Sequence, residues 1–420
     1  MTRAVVFLPQ NPVPPSSGFH RRGLEMLAVF RDLGVRTILT SSDLSAEWGP
    51  HPWNHDSISS LRARYVADVW VHQPSSRDRR IARLVEKGYR RLRRIPPPST
   101  RINTPPGMRR WFTRVLEESS PDLVLMNYVS WDGLLNHRRF RSVRRAVDLH
   151  DLVTLNHQMW RTLVAALPPF PVDAATVPES VISLDFYTKL GLRPDPAEFH
   201  ICDRYEYTIS ITQQEAETLR ASTRHTDVVH IPMTQPVVQL SNTYTRPALF
   251  VTGPNPFNVQ GYVFFVRQVL PRILKQLPDF ALQVTGACCA NVSGSNGIVL
   301  SGFVPDLAPV YEHARFAICP VFGLTGQQVK IVEAMAHGVP VIALAAAAQR
   351  SPIEHEVNGL IAHDAAEFAD SAIRLWKDRA FCRRLGAAAR ETIDRDFSAP
   401  QLRSKLATLV FGTSESSRNG

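Results

Sequence analysis

Both halves of this 420-residue chain repeat one pattern, and that pattern restricts the fold more than any other feature. A short apolar run is followed by a helix-like stretch and then by a second apolar run. A strand–helix–strand unit of this kind links parallel neighbours through a right-handed crossover, so repeats of it build a doubly wound parallel sheet with helices on both faces. In the first half, residues 4–8 read as a buried strand, residues 9–17 as a proline-rich loop ending at Gly18, and residues 21–33 as a helix closed by Gly34. A strand over 35–40 completes the unit, and further strands are expected at 122–126, 146–149 and 207–211. In the second half the apolar runs are 249–251, 281–284, 298–300, 316–319 and 339–343, with helices at 261–277 and 328–337. Between the halves, residues 232–247 carry Pro232, Pro236 and Pro247 with little periodicity, which marks a linker. The expected organisation is an α/β chain with an N-terminal Rossmann-like domain over 1–240 and a second over 246–395. A C-terminal helix over 396–412 is expected to return toward the first. Two parallel doubly wound sheets facing across a cleft is the architecture that follows.

Composition narrows the setting. Hydrophobic residues at 44% and charged residues at 20% describe a chain that folds around a core, not a disordered one. No run of eighteen apolar residues suggests a transmembrane helix, and the N-terminus reads as a strand, not as a secretory signal. A cytoplasmic protein is expected. Cys202, Cys288, Cys289, Cys319 and Cys382 are odd in number and scattered, which disfavours a disulfide framework or a zinc site. Adjacent Cys288 and Cys289 read as two small residues at a strand end. The formal net charge of +10 is concentrated. Residues 62–145 hold twenty Lys or Arg against seven Asp or Glu, a surplus of thirteen, so the remainder is slightly acidic. A local basic excess points to an anionic partner.

The segment with the most chemistry in it is 320–343, which reads strand end, glycine loop, helix, Gly338-Val339-Pro340 turn and strand. Gly323 and Gly326 allow a ligand to approach the backbone closely, since no Cβ intervenes. The helix behind them presents unpaired N–H groups and the positive end of its dipole, a place for a diphosphate. Lys330 and Glu333, three apart, share a face of that helix, while Ile331, Val332 and Met335 turn to the sheet. A cation in a first helical turn opposes the helix dipole. A bound diphosphate supplies a reason for Lys330 to stand there; a solvated Lys330–Glu333 ion pair is the alternative.

These residues resemble the donor-binding segment of family 4 (group 1) glycosyltransferases of the GT-B fold, in particular the bacterial branch with a Gly-x-Lys-x-x-Glu-Ala-Met-Ala-x-Gly-x-Pro-Val pattern. Phe250 to Gly253, Pro256 to Val259, Gly302 to Leu307 and Glu356 to Leu360 are similar to the same branch, and Gly18, His150-Asp151 and Ser210 match more loosely. The resemblance implies a retaining, metal-independent transferase that moves a sugar from a nucleotide-sugar donor to a glycan or lipid-linked acceptor, in cell-surface polysaccharide or glycolipid assembly. No cofactor is implied. It places Glu333 on the donor ribose, Lys330 beside the diphosphate and His150 near the transferred sugar, as the catalytic set. Gly18, Gly253, Asn258, Gly326, Gln327 and Gln328 join Lys330 and Glu333 in holding the donor.

Two departures from the pattern bear on activity. Relatives usually carry a second glutamate eight residues before the first, where this chain has Thr325, and the Arg and Lys common after the domain's first strand are replaced by Pro254, Asn255 and Asn258. A weakened partner subunit or a nucleotide-sugar epimerase of the same fold are therefore the alternatives. Asp394-Arg395-Asp396 spells the Asp-x-Asp of metal-dependent transferases but lies far along the chain from any donor loop. Residues 77–94 place Ile81, Leu84, Val85, Tyr89 and Leu92 at helical spacing among Arg79, Arg80, Arg83, Lys87, Arg90, Arg91, Arg93 and Arg94. Such a helix suits an anionic membrane surface at the inner face of a membrane, or equally a packed helix with a solvated outer face. Nucleic acid is not the expected partner, because no recognition motif or interleaved aromatics accompany the charge.

Overall fold

The computed structural model describes residues 1–46, 51–92, 96–323 and 325–412, which form two compact units. The first comprises Met1–Thr154, Pro194–Thr234 and the chain from Pro400, and the second Leu155–Arg193 and Gln235–Ala399.

The first unit is built on β1 (Arg3–Phe7), β2 (Arg36–Ser42), β3 (Asp68–His72), β4 (Leu123–Asn127), β5 (Arg144–Leu149), β6 (Tyr207–Ser210) and β7 (Asp227–His230). They form one parallel sheet in the order β3-β2-β1-β4-β5-β6-β7. β1 and β4 are buried along nearly their whole length, as central strands covered on both faces must be. The helix Gly18–Asp32 packs Met26, Leu27 and Phe30 on this sheet and is capped by the Ser17 side chain. The last helix, Ala399–Phe411, sets Leu402, Leu406, Leu409 and Val410 into the same core, and Lys405 Nζ donates to the His230 carbonyl at 3.0 Å.

The second unit holds β8 (Ala248–Thr252), β9 (Leu282–Gly286), β10 (Ile298–Gly302), β11 (Ala317–Cys319), β12 (Val341–Leu344) and β13 (Leu360–Ala362), parallel and ordered β10-β9-β8-β11-β12-β13. In both sheets the chain starts in the middle and winds outward in two directions. The point of reversal lies between β1 and β4 in the first and between β8 and β11 in the second. The crevice beyond the carboxyl ends of such strands is where open α/β sheets take ligands.

Two of the differences between the structure and the sequence reading bear on the second unit. The expected helix over 261–277 begins earlier, at Pro256, and is interrupted. Pro256–Phe264 is α-helical, Phe265–Val269 is a π turn, and Leu270–Gln276 resumes the helix. Pro271 explains the break, since it has no N–H to donate back along the helix. The second difference concerns the expected boundary at residue 240. Residues 155–193 leave the first unit and pack on the second, where Leu163, Val172, Val177, Val181, Ile182 and Tyr187 are buried in its core. Every residue of the Pro256–Phe264 helix is buried, Asn258 and Gln260 included, and a helix buried all round needs cover on the side away from its sheet. The 155–193 excursion supplies it: Gln260 Nε2 donates to the Val181 carbonyl at 2.7 Å, and the Val172 N–H donates to the Asn291 carbonyl at 2.8 Å.

Candidate active site

In the second unit the two loops flanking the point of reversal converge. Gly253 follows β8, where nothing occupies the space a Cβ would take. After β11 the chain runs from Pro320 through the glycine loop into the Val329–Ala336 helix. Gly326 has φ +72°, a left-handed conformation that glycine adopts without penalty. Gly323 lies so close to the Tyr187 ring that a Cβ would stand 1.9 Å from its Cε2 atom. Gln327 is half-buried and Gln328 buried, the latter receiving a weak Cys319 Sγ contact at 3.9 Å. No side chain caps the helix, but the Val329 and Ile331 N–H groups donate to the Gln327 and Gln328 carbonyls at 2.9 Å each, so what this end offers an anion is chiefly the positive end of the helix dipole.

Three of the residues singled out by sequence form one chain of contacts. Asn258 Nδ2 donates to the Gly253 carbonyl at 3.0 Å, and Asn258 Oδ1 accepts from Lys330 Nζ. Lys330 Nζ also sits 5.3 Å from the centroid of the Phe250 ring. Burial holds the Lys330 ammonium below the usual lysine range, and the Cys319 and Cys288 thiols nearby are themselves pushed up by burial, Cys288 to about 11. Those thiols stay neutral, so they do not balance the ammonium. The solvated Lys330–Glu333 ion pair does not form, and among the described residues neither side chain has a charged partner. Glu333 engages only through its carbonyl, which accepts from His337 Nδ1 at 2.7 Å. A partly covered cation without an anion and a free carboxylate thus stand on one helix face, one turn apart, at the mouth of the sheet's reversal point. The site matches the needs of a ligand with an anionic group and a pair of hydroxyls.

The first unit holds the other two residues, again at strand ends beside a reversal point. Gly18 opens the Gly18–Asp32 helix after the loop from β1, and His150 follows β5. The His150 ring stacks on Tyr128 with centroids 4.5 Å apart and meets Phe19 at 5.0 Å. His150 Nε2 lies 2.9 Å from Asn127 Oδ1 and 3.4 Å from Asp148 Oδ2. Because Asn127 Nδ2 donates to the Phe7 carbonyl at 2.9 Å, its oxygen is the acceptor, and the network assigns the ring proton to Nε2. Nδ1 is left as a lone-pair acceptor. Burial lowers the His150 pKa to about 4, so the ring is neutral near pH 7 and offers a hydrogen-bond acceptor, not a cation.

Sequence reading missed the groups that support His150. Arg22 makes a bidentate pair with Asp148, both contacts at 2.7 Å, and both side chains are essentially buried. The signal was present, since Arg22 occupies the same helix stripe as Met26 and Phe30 and a cation there needs a buried anion. Glu198 is also buried, and accepts from the Val153 and Thr154 N–H groups at 2.9 and 3.1 Å and from the Thr154 hydroxyl. It thereby fixes the turn that follows His150-Asp151; burial raises its pKa to about 7. Nothing local in sequence couples positions 154 and 198.

Asp394 and Asp396 end the Arg379–Asp396 helix, where Asp396 pairs with Arg395 at 2.7 Å. Among the described residues no group of three His, Cys, Asp or Glu side chains is placed to hold a metal ion. The five cysteines are free, and Cys288-Cys289 lie in a short helical turn, Ala287–Asn291, not at a strand end. The basic segment forms the helix Ser76–Arg91, which buries only Asp78 and Ala82 and leaves Leu84 and Leu92 exposed beside its cations. Arg93 and Arg94 lie outside the described residues. No helix of the described residues is long and apolar enough to cross a membrane.

Residues 246–378 match the family model described as Glycosyl transferases group 1. No curated protein sequence matches the chain significantly. Among solved structures, the chain is similar to a sucrose-phosphate synthase from Thermosynechococcus elongatus at 16% identity and a TM-score of 0.60, covering 99% of this chain and 100% of that one. HepE of Anabaena in complex with UDP and glucose aligns at 13% identity and a TM-score of 0.60 over 98% and 100% of the two chains. TarM of S. aureus aligns at 12% identity and a TM-score of 0.62 over 98% and 99%. At these identities the likeness is one of fold, the GT-B fold.

Proposed function

The chain carries a glycosyltransferase group 1 domain over residues 246–378 within a GT-B fold, and from that premise we propose that it moves a sugar from a nucleotide-sugar donor to a glycan or lipid-linked acceptor, with retention of configuration and without a divalent metal. The donor binds the second unit. Its ribose hydroxyls lie on Glu333, and its diphosphate lies on Lys330 and the N-terminal end of the Val329–Ala336 helix. Gly253, Asn258, Gly326, Gln327 and Gln328 shape the loops that receive it. His150, from the first unit, offers Nδ1 to a hydroxyl of the transferred sugar, and Gly18 belongs to the loop region beside it. The observation that carries this reading is the unpaired Lys330 and Glu333 on one helix face at the reversal point of the sheet. Similar folds have been crystallised with UDP or UDP-glucose, HepE among them.

The test is donor binding. Glu333→Ala should weaken affinity about tenfold or more, the equivalent of about 1.4 kcal/mol, because a carboxylate accepting two hydroxyls is worth that much or more. Titration of UDP-, GDP-, dTDP- and ADP-sugars reads it. Residual turnover should yield product with the donor's anomeric configuration. Unchanged donor affinity in Glu333→Ala removes the ribose assignment.

We further propose that the basic helix brings the enzyme to an anionic membrane surface at the cytoplasmic face, where a lipid-linked acceptor would lie. Support comes from the exposed Leu84 and Leu92 flanked by Arg80, Arg83, Lys87 and Arg91. Each basic side chain near such a surface contributes about 1 kcal/mol. The protein should sediment with anionic but not neutral vesicles and be released by high salt, as screening demands. Replacing Arg83, Lys87, Arg90 and Arg91 with Gln should loosen this binding and leave donor affinity intact. Equal sedimentation with neutral vesicles, or none with anionic ones, makes the helix a solvated surface.

A further inference from the structure

The excursion Leu155–Arg193 touches the glycine loop at two places, one through Tyr187, which also belongs to the core, and one through a hydrogen bond. Tyr187 lays its ring on Gly323, leaving no room for a Cβ, and is anchored there by its hydroxyl, which donates to Gln260 Oε1 at 2.9 Å. Gln260 is itself fully buried and donates onward to the Val181 carbonyl, so the Tyr187 hydroxyl has a fixed acceptor. Two residues along the loop, Asn156 Nδ2 donates to Thr325 Oγ1 at 2.7 Å, and Thr325 is only 3% exposed. A loop of glycines has no conformation of its own to fall into, since each glycine populates regions that other residues avoid. Something else must hold it in the shape that a ligand meets, and preorganisation of this kind is what turns contacts into affinity.

We propose that Asn156 and Tyr187 are positioning residues for the donor: the excursion clamps the glycine loop at Gly323 and at Thr325 and so sets the approach of the Val329–Ala336 helix end to the diphosphate. The proposal rests on the donor-binding reading above. It also gives Thr325 a role, because its hydroxyl is the point at which the clamp holds. Neither side chain needs to touch the donor.

The hydrogen-bonded pair provides the cleaner test, because Tyr187→Ala would open a large gap in a core and lose stability for that reason alone. Asn156→Ala and Thr325→Val should each raise the donor KM about tenfold, the cost of losing the hydrogen bond between them and of a loop set free. Turnover at saturating donor should stay within about threefold. Thr325→Ser keeps the hydroxyl and should behave as the wild type. The Asn156→Ala/Thr325→Val double variant should be no worse than either single one, since both remove the same contact. Melting temperatures measured alongside separate loss of the clamp from loss of the fold. A donor KM for Asn156→Ala within about twofold of wild type, or losses that multiply in the double variant, overturns the clamp. A wild-type protein that binds none of the four nucleotide-sugar classes overturns the donor reading instead, and the clamp falls with it.

Discussion

Turnover by the Lys330→Ala variant is expected to fall about 10²–10³-fold, the usual cost of removing one preorganised charge from the place where negative charge develops. Cleavage of the bond from the sugar to the diphosphate leaves its electron pair on the terminal phosphate, which adds one negative charge to a diphosphate that already carries two. Lys330 is held against Asn258 and over the Phe250 ring, with no carboxylate to neutralise it. Burial makes it costly to keep an ammonium there unpaired, so the arrangement is favourable only once an anion arrives. Since the charge grows in the transition state, most of the loss should appear in turnover and less in donor affinity, the reverse of Glu333→Ala. Lys330→Arg should recover part of it, as the charge is kept and the geometry altered. In the same assay, excess chelator should leave wild-type turnover unchanged, because Lys330 and the helix end carry the charge that a metal would otherwise neutralise. A Lys330→Ala enzyme that keeps more than about a tenth of its turnover contradicts this role, and full dependence on added magnesium or manganese contradicts the metal-free chemistry.

Arg22→Ala is expected to destabilise the first unit by about 3–5 kcal/mol, because it strands the Asp148 carboxylate in a place where water does not reach. At roughly 2–4 °C per kcal/mol for a unit of this size, the melting transition should drop by about 6–20 °C. Burial by itself would raise the Asp148 pKa, yet Arg22 and His150 hold it below the ordinary carboxylate value. The sign of the pH effect follows from that. A depressed carboxylate stabilises the folded state above its unfolded pKa and loses that contribution as pH falls through the folded one. The wild type therefore loses stability in acid, and Arg22→Ala should flatten that loss because Asp148 can take up a proton. Removing both partners as Arg22→Met/Asp148→Leu should cost less than Arg22→Ala alone. Thermal denaturation from pH 7.5 down to about pH 2, through the region below the ordinary carboxylate pKa where the wild-type loss falls, checks both points; a shift under about 2 °C would mean that the pair is accessible to water.

The sequence alone determined the elements whose signal is local. Buried central strands such as β1, β4, β8 and β12 are continuous apolar runs, and the loops and helices between them carry glycine, proline and helical spacing, so two doubly wound parallel sheets could be read off directly. The shared face of Lys330 and Glu333 was legible for the same reason, since 3.6 residues per turn fixes it. β3, β7 and β13 were not legible. All three are edge strands with half-exposed positions, whose apolar runs of two or three residues are too short to tell from helix or loop. Only the tertiary structure decided which partner each buried polar group takes. Lys330 is tied to Asn258, 72 residues away, and not to Glu333 three residues on; Arg22 meets Asp148 across 126 residues; Asn156 meets Thr325 across 169. The excursion over 155–193 belongs to the second unit, where it covers the Pro256–Phe264 helix, buried on every side, from outside its own sheet and gives the buried Gln260 its partners. Periodicity records how a segment folds on itself. Which segment then satisfies a buried donor or covers an apolar face is a property of the packed chain, fixed where desolvation leaves no other low-energy choice.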